Sequence, residues 1–393
     1  MPASTAPSAP VGFWSGPWAM MGSFIPTTIQ MWLMIPATSL ILAERGVSAS
    51  VIGIFAAVPW GIVLIGTPIL PGVIARLGVV PAYRYATLLA MAAVLGFFFV
   101  DSVPVWFLLN AVFGVSVGMR WLIADSWVAA TAGLGANRGR VIGIYETLLG
   151  CSIACGPLVV TLVGTAGGKP FLLSLLMLGI AFGFAVPMRD RTLGSKAGER
   201  PGNILAIGRR HPSLLLAVLL AGVCESAVVA IFPVYGLAIG YDAEGAALMV
   251  TLIGLGTIAG QLPLGLFANR FDARRLTFLC AVVTAGAVLL AIPLDPRGQL
   301  VWVLRIPWGA AFAGLYTMTM IQAGLRFSGS EMLHAIAAVA ATYTVGGMVG
   351  PALTGAAFDL VGPDGLLLAI GVLGALIAVA LAFDLRRPEP AQL

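Results

Sequence analysis

The sequence predicts an all-α membrane protein of twelve spanning helices, built as two six-helix bundles with internal pseudo-symmetry. Three observations lead there. First, 60% of the 393 residues are hydrophobic and only 9% are charged, with a mean hydropathy of +1.02, whereas soluble domains carry roughly 25% charged residues. A surface so poor in polar groups cannot be wetted, so the expected solvent is lipid. Second, the apolar stretches approach the ~20 residues a helix needs to cross a ~30 Å hydrocarbon core. Third, several sequence features recur at nearly one offset.

Charged or Pro/Gly-marked breaks divide the chain into twelve apolar runs. These are 18–43, 51–75, 83–100, 104–128, 139–163 and 171–188, then 213–239, 246–268, 277–294, 300–324, 334–358 and 365–383. The longest polar break runs from Arg189 to His211 and separates six runs from six. The expected organisation is an N-terminal tail at 1–17, a first bundle at 18–188, a cytoplasmic linker at 189–212, a second bundle at 213–383 and a C-terminal tail at 384–393. The first 17 residues hold no Lys or Arg, so they lack the basic start of a signal peptide and read as a loose tail.

Basic residues set the orientation, because Lys and Arg accumulate in cytoplasmic loops. With the N-terminus inside, those segments hold sixteen of them: Arg76, Arg84, Arg138, Arg140, Arg189, Arg191, Lys196, Arg200, Arg209, Arg210, Arg270, Arg274, Arg275, Arg326, Arg386 and Arg387. The opposite loops hold three, Arg45, Lys169 and Arg297. Both termini are therefore expected in the cytoplasm. The same bias accounts for the net charge of +5 without a nucleic-acid partner. Cys151, Cys155, Cys224 and Cys280 lie in apolar runs and form no zinc-like CxxC, which suits small polarizable core residues. His211 and His334 are far apart at helix starts, so neither a metal centre nor any other cofactor is expected.

The repeat is specific. Arg76 after helix 2 and Arg270 after helix 8 are 194 positions apart, as are Gly156-Pro157 in helix 5 and Gly350-Pro351 in helix 11. Asn110-xxx-Gly114 in helix 4 and Arg305-xxx-Gly309 in helix 10 are 195 apart. Three pairs in register point to duplication. Glycines at these places let backbones approach closely in lipid, and a mid-helix Gly-Pro frees backbone groups and permits a bend.

On these residues the chain resembles the major facilitator superfamily. Gly265 to Arg275 is similar to its loop signature, with Asn269 in place of the acid and Asp272 in place of a second glycine. The first-half copy, Pro71 to Gly78, keeps only Arg76 and Gly78. Gly143 to Pro157 resembles the glycine-proline motif of the family's antiporters. Arg305-xxx-Gly309 resembles its helix 4 arginine motif moved to the second half, and Asn137-Arg138-Gly139-Arg140 its basic turn before helix 5. The chain resembles bacterial members of unassigned substrate, which implies a place in a bacterial inner membrane. The resemblance implies a monomeric secondary transporter working by alternating access, with its substrate site near the midplane between two rocking halves. It also implies that helices 1, 4, 7 and 10 line the path. Arg76, Asp125, Gly156, Pro157, Asn269, Arg270, Gly350 and Pro351 would then serve gating or structure, with Arg76 paired to Asp125.

Besides Arg84 and Arg140 at the cytoplasmic starts of their runs, five charged residues fall inside the runs: Arg120, Asp125, Glu146, Glu225 and Arg305. Each costs ~2.5–3.5 kcal/mol at mid-depth, so each needs a partner, a watery cavity or the interface. At ~1.5 Å per residue, Glu225 lies ~18 Å into helix 7, near the midplane. Glu146 (~10 Å) and Arg120 (~12 Å) share a depth on the cytoplasmic side, and Arg305 lies ~8 Å from the outer end. Arg120 and Asp125 are ~140° apart around their helix, so Glu146 is the expected partner of Arg120. Glu225 is either a proton carrier or one half of an ion pair with Arg120 or Arg305; Glu146 is the second candidate for proton coupling. Arg120 and Arg305 either contact an anionic substrate or act structurally. Trp121 and Tyr316, with Tyr145, Trp308 and Tyr343, either stack on an organic substrate or pack the core. Gln30, Thr27 and Thr28 are polar groups of helix 1 available to the cavity. Trp14, Trp18, Trp106 and Trp302 are expected as interfacial anchors.

No Walker A sequence is present, so ATP is not the expected fuel. The expected function is proton-coupled antiport, exporting a small organic compound. The alternative is a proton-linked symporter taking up an organic anion clamped by Arg120 and Arg305. An enzyme would need clustered catalytic groups, and a sensor an appended domain; neither is visible. Duplicated hinge motifs suit alternating access better than a channel.

Overall fold

The computed structural model describes residues 13–132, 136–189, 204–268 and 270–386, and their regular structure is helical, without a strand. The expected tail up to residue 12, linker residues 190–203, Asn269 and the chain from 387 lie outside the described residues. Fifteen α-helices follow in order. They are α1 Pro17–Glu44, α2 Ala49–Gly66, α3 Leu70–Leu77, α4 Val79–Phe99, α5 Val103–Thr131, α6 Ala136–Val163, α7 Lys169–Ala185, α8 Ile204–Arg210, α9 Pro212–Ala230, α10 Phe232–Ala238, α11 Ala243–Phe267, α12 Ala273–Ala291, α13 Gln299–Arg326, α14 Gly329–Val361 and α15 Gly365–Leu385. All except α3, α8 and α10 belong to the twelve helices long and apolar enough to cross a membrane.

Two expected runs are divided, each at prolines. The second run stops at Gly66 and resumes as α3, because Pro71 has no N–H and its ring would strike the carbonyl of Thr67. At the end of α3, Gly78 takes φ +85°, a conformation glycine adopts without penalty, so α4 starts at the next residue. The seventh run breaks at Ile231, where Pro233 removes the donor that would continue α9. Glu225 and Phe232 therefore sit on separate helical segments.

The repeated glycines turn out to be matched points of backbone contact. Gly156 of α6 lies against Trp32 and Leu33 of α1, while Gly350 of α14 lies against Val223 and Ser226 of α9. Gly114 of α5 meets Pro59 and Ile62 of α2, while Gly309 of α13 meets Ile253 and Thr257 of α11. A Cβ at any of the four would overlap its neighbour. Each bundle thus repeats the same two close approaches, which lipid rewards by packing rather than by a hydrophobic drive.

Across the halves, α2 packs on α14 and α6 on α11. On the face opposite the arginine-rich connections, Gly53 abuts Pro351 and Gly355 abuts Ala49. There the Asp359 carboxylate accepts the backbone N–H groups of Ala49 at 3.1 Å and Ser50 at 2.8 Å. It caps the start of α2 from the other half, where the helix dipole favours negative charge. Toward the arginine-rich face, α3 packs on α4 and α5 of its own half.

Removing this cap should loosen the seam. In a background lacking the native cysteines, Ala352→Cys should react with a water-soluble maleimide about two- to fivefold faster when Asp359→Ala is added, the factor for one charge at an exposed helix start. Gly53→Leu should accelerate it further by forcing α2 from α14. Unchanged rates in both would show that the seam is held elsewhere.

Candidate functional site

Where the two halves face each other, the structure gathers acids and aromatic rings. Glu225, half-buried on α9, has the Tyr343 hydroxyl of α14 as its side-chain hydrogen-bond partner. The Tyr343 ring contacts Tyr316 of α13 (centroids 5.2 Å apart) and Trp60 of α2 (6.0 Å). Tyr316 is exposed and stands within electrostatic reach of Glu146, Glu225 and Asp125. This places side chains of both halves around one cleft. Trp60 enters because Gly347 of α14 lies against its indole, and Gly61 faces Met348 beside it.

On the first half, Asp125 of α5 and Glu146 of α6 are exposed and feel each other's charge. Tyr145 donates its hydroxyl to Asp125 Oδ1 at 2.7 Å. Phe24 of α1 lies between Tyr145 (6.1 Å, stacked) and the half-buried Trp121 (5.6 Å, edge-on). Gln261 of α11 is exposed near Gly150 of α6 and supplies an amide across the seam.

Several expected pairings do not form. Arg76 is exposed and forms no ion pair with Asp125, although α3 packs on α5; the Asp125 carboxylate takes the Tyr145 hydroxyl instead. Arg120 does not reach Glu146. It is 1% exposed inside the first bundle, its Nε donates to the Ser116 carbonyl at 3.3 Å, and its nearest titratable neighbour is Tyr83 of α4. The two share a depth but point different ways.

Arg305 likewise does not line the cleft; its guanidinium turns toward the α12–α13 connection, where Nη2 lies 3.5 Å from the Pro296 carbonyl. It is 2% exposed, with its guanidinium 4.2 Å from the Trp302 ring and 5.9 Å from Phe232. Neither arginine pairs with Glu225, which excludes the fixed-ion-pair alternative for that residue in this conformation.

Helix 1 also turns its polar groups inward. Gln30 is wholly buried, and Thr28 donates to the Ile25 carbonyl at 2.8 Å and lies 3.0 Å from the Ser152 hydroxyl of α6. Thr27 donates to the Phe24 carbonyl. Trp106 is core rather than anchor: fully buried, it donates to the Val100 carbonyl and lies under Arg45. Trp14 and Trp18 are exposed near the start of α1.

Gly156-Pro157 and Gly350-Pro351 lie within α6 and α14, Arg270 is exposed, and Asn269 lies outside the described residues. Trp60, Gln261 and Asp359 carry no signal in the sequence beyond their residue type. Among the described residues no group of three His, Cys, Asp or Glu is arranged to hold a metal.

Comparison with known proteins follows the same lines. A family model described as Major Facilitator Superfamily matches residues 20–250 and 214–393. The chain is similar to YfkF of Bacillus subtilis, an uncharacterized MFS-type transporter, at 25% identity over 334 residues, covering 82% of this chain and 83% of that one. It is also similar to YcaD of Escherichia coli, an uncharacterized MFS-type transporter, at 23% identity over 341 residues, covering 85% and 87%. Among solved structures, the nucleoside transporter NupG superposes with a TM-score of 0.80 at 12% identity, covering 95% of this chain and 99% of NupG. A D-xylose-proton symporter gives 0.73 at 15% identity, covering 92% and 95%; both likenesses concern the fold. Twelve spanning helices in two matched bundles, and a family match from residue 20 to 393, lead to one conclusion: the chain belongs to the Major Facilitator Superfamily and is a transporter rather than an enzyme.

Proposed function

We propose that this chain is a proton-coupled antiporter that exports a small organic compound, preferentially a cationic one, through the cleft between its halves. The observation that carries the reading is Glu225: an acid on a lining helix whose partner is a tyrosine, not an arginine. A carboxylate without a fixed counter-ion is able to bind either a proton or a positively charged cargo, and that competition is what exchange requires. Tyr316, Tyr343 and Trp60 present ring faces beside it, which attract organic cations. Glu146, exposed on the facing half, is the second proton-handling group.

Uptake of an organic anion is supported less well. Its clamp was to be Arg120 and Arg305, yet both are buried within their own bundles, away from the Glu225 group. The sixteen-to-three distribution of basic residues supports a multi-pass inner-membrane protein with both termini in the cytoplasm, operating as a monomer in lipid.

Proteoliposomes with an imposed pH gradient test the coupling. Glu225→Gln should reduce gradient-driven flux of an organic cation by at least about tenfold, the scale of losing one charged contact. Tyr343→Phe should reduce it severalfold. Gradient-driven flux that survives Glu225→Gln would remove the carboxylate from the mechanism. A thermal-shift screen of purified protein against organic cations and anions at two pH values tests the cargo. Stabilisation should favour cations, grow with pH and vanish in Glu225→Gln; stabilisation by anions that is lost in Arg120→Ala would restore the uptake reading.

A further inference from the structure

A second group of polar atoms lies away from the cleft, entirely within the second bundle. Arg305 and Trp308 sit one turn apart near the start of α13, 2% and 3% exposed. Three of their donor nitrogens, Arg305 Nε, Arg305 Nη1 and Trp308 Nε1, are buried without an acceptor among the described residues. Only Arg305 Nη2 reaches one, the Pro296 carbonyl, at 3.5 Å. These groups donate and cannot accept. They border a cavity of about 20 Å³, lined also by Phe232 and Tyr235 of α10, Val288 of α12 and Leu367 of α15.

We propose that this cavity is a binding site for one small monovalent anion of halide size, with chloride the physiological candidate. The volume sets the upper limit. A single water or monatomic ion needs ~10–15 Å³ of such space, so the cavity holds one such particle and excludes an organic carboxylate or a lipid phosphate. Charge then decides between water and anion. A guanidinium withdrawn from water is costly unless paired. Among the described residues no carboxylate forms an ion pair with Arg305. Asp364 stands within electrostatic reach of Tyr235 and forms no ion pair with Arg305. The ring faces of Trp302 and Phe232 offset a cation by only ~0.5–2 kcal/mol each. A water has two acceptor lone pairs for three donors and brings no charge. A halide held there would accept from these three nitrogens and neutralise the guanidinium.

The duplication supplies an internal control. The first-half counterpart of Arg305 is Asn110, which is neutral and donates Nδ2 to the Phe55 carbonyl at 2.7 Å. The matching place in the other bundle therefore has neither a buried charge nor an idle donor, so the anion site is a property of the second half alone. Tyr316 is eleven residues further along α13, ~16 Å at the rise of a helix, so the site is distinct from the cleft.

The test uses the whole protein in lipid nanodiscs, melted in sodium chloride or sodium gluconate at equal ionic strength. Chloride should raise the melting temperature saturably, by about 3–6 °C at a hundredfold excess over half-saturation, and gluconate should not. Arg305→Gln should abolish the difference between salts. Trp308→Phe keeps the charge and the ring while removing one donor, and should raise the half-saturating chloride concentration about tenfold. If Arg305→Gln does not fold, Trp308→Phe still decides, together with crystals soaked in bromide, where an anomalous peak is expected between the Arg305 and Trp308 nitrogens. Equal melting in the two salts, a chloride effect indifferent to Trp308→Phe, or density at the site without anomalous signal would each overturn the assignment.

Discussion

In lipid, helices gain nothing by hiding leucines from their surroundings, so they associate only where their backbones fit closely. That constraint underlies this molecule. Gly114 and Gly156 in one bundle, and Gly309 and Gly350 in the other, bring carbonyls and α-carbons of neighbouring helices into direct contact. The same device recurs between the bundles, where Gly53 and Gly355 let α2 and α14 meet. Residues that first read as marks of a duplication are thus its packing points, and the duplication repeats an energetic solution as well as a chain path. The Gly-Pro pairs of α6 and α14 belong to the same scheme, since each glycine marks the contact with α1 or α9.

Charge is the other thing lipid makes scarce, and each charge within the spanning helices meets different local surroundings. Arg120 leans on a carbonyl one turn back in its own helix, and Arg305 lies among aromatic rings. Asp125 holds the Tyr145 hydroxyl, and Glu225 has that of Tyr343. The result is a division of labour by sign: cations are enclosed within bundles, while acids stand where the bundles face each other. A transporter so arranged discriminates cargo by what it leaves accessible, not by its overall charge of +5.

Depth was legible in the sequence and direction was not. Hydropathy is a one-dimensional property, so twelve runs, the six-plus-six division and the duplicated glycines could all be read from the chain alone. The breaks inside the second and seventh runs were not legible there, since Pro71 and Pro233 mark them while Pro157 and Pro351 lie inside unbroken helices. Counting along a helix gave Arg120 and Glu146 the same depth, yet pairing also depends on azimuth and on which half a neighbour belongs to. Arg120 faces α4 within the first bundle, whereas Glu146 faces the cleft. Arg76 and Asp125 belong to one bundle yet form no ion pair, and the acid takes the Tyr145 hydroxyl of α6 instead. Trp60, without a charge or motif to mark it, became visible only when α14 was placed against α2.

The cap that Asp359 places on α2 has one further consequence. Its acceptors are satisfied by main-chain N–H groups of Ala49 and Ser50, which nearly every amino acid supplies. Truncating the Ser50 side chain would therefore remove its hydroxyl from beside Gly355 and Asp359 but leave both main-chain donors in place. Proline alone, lacking the donor, would remove one. The join between the bundles is written on one side in a specific carboxylate and on the other in the polypeptide itself.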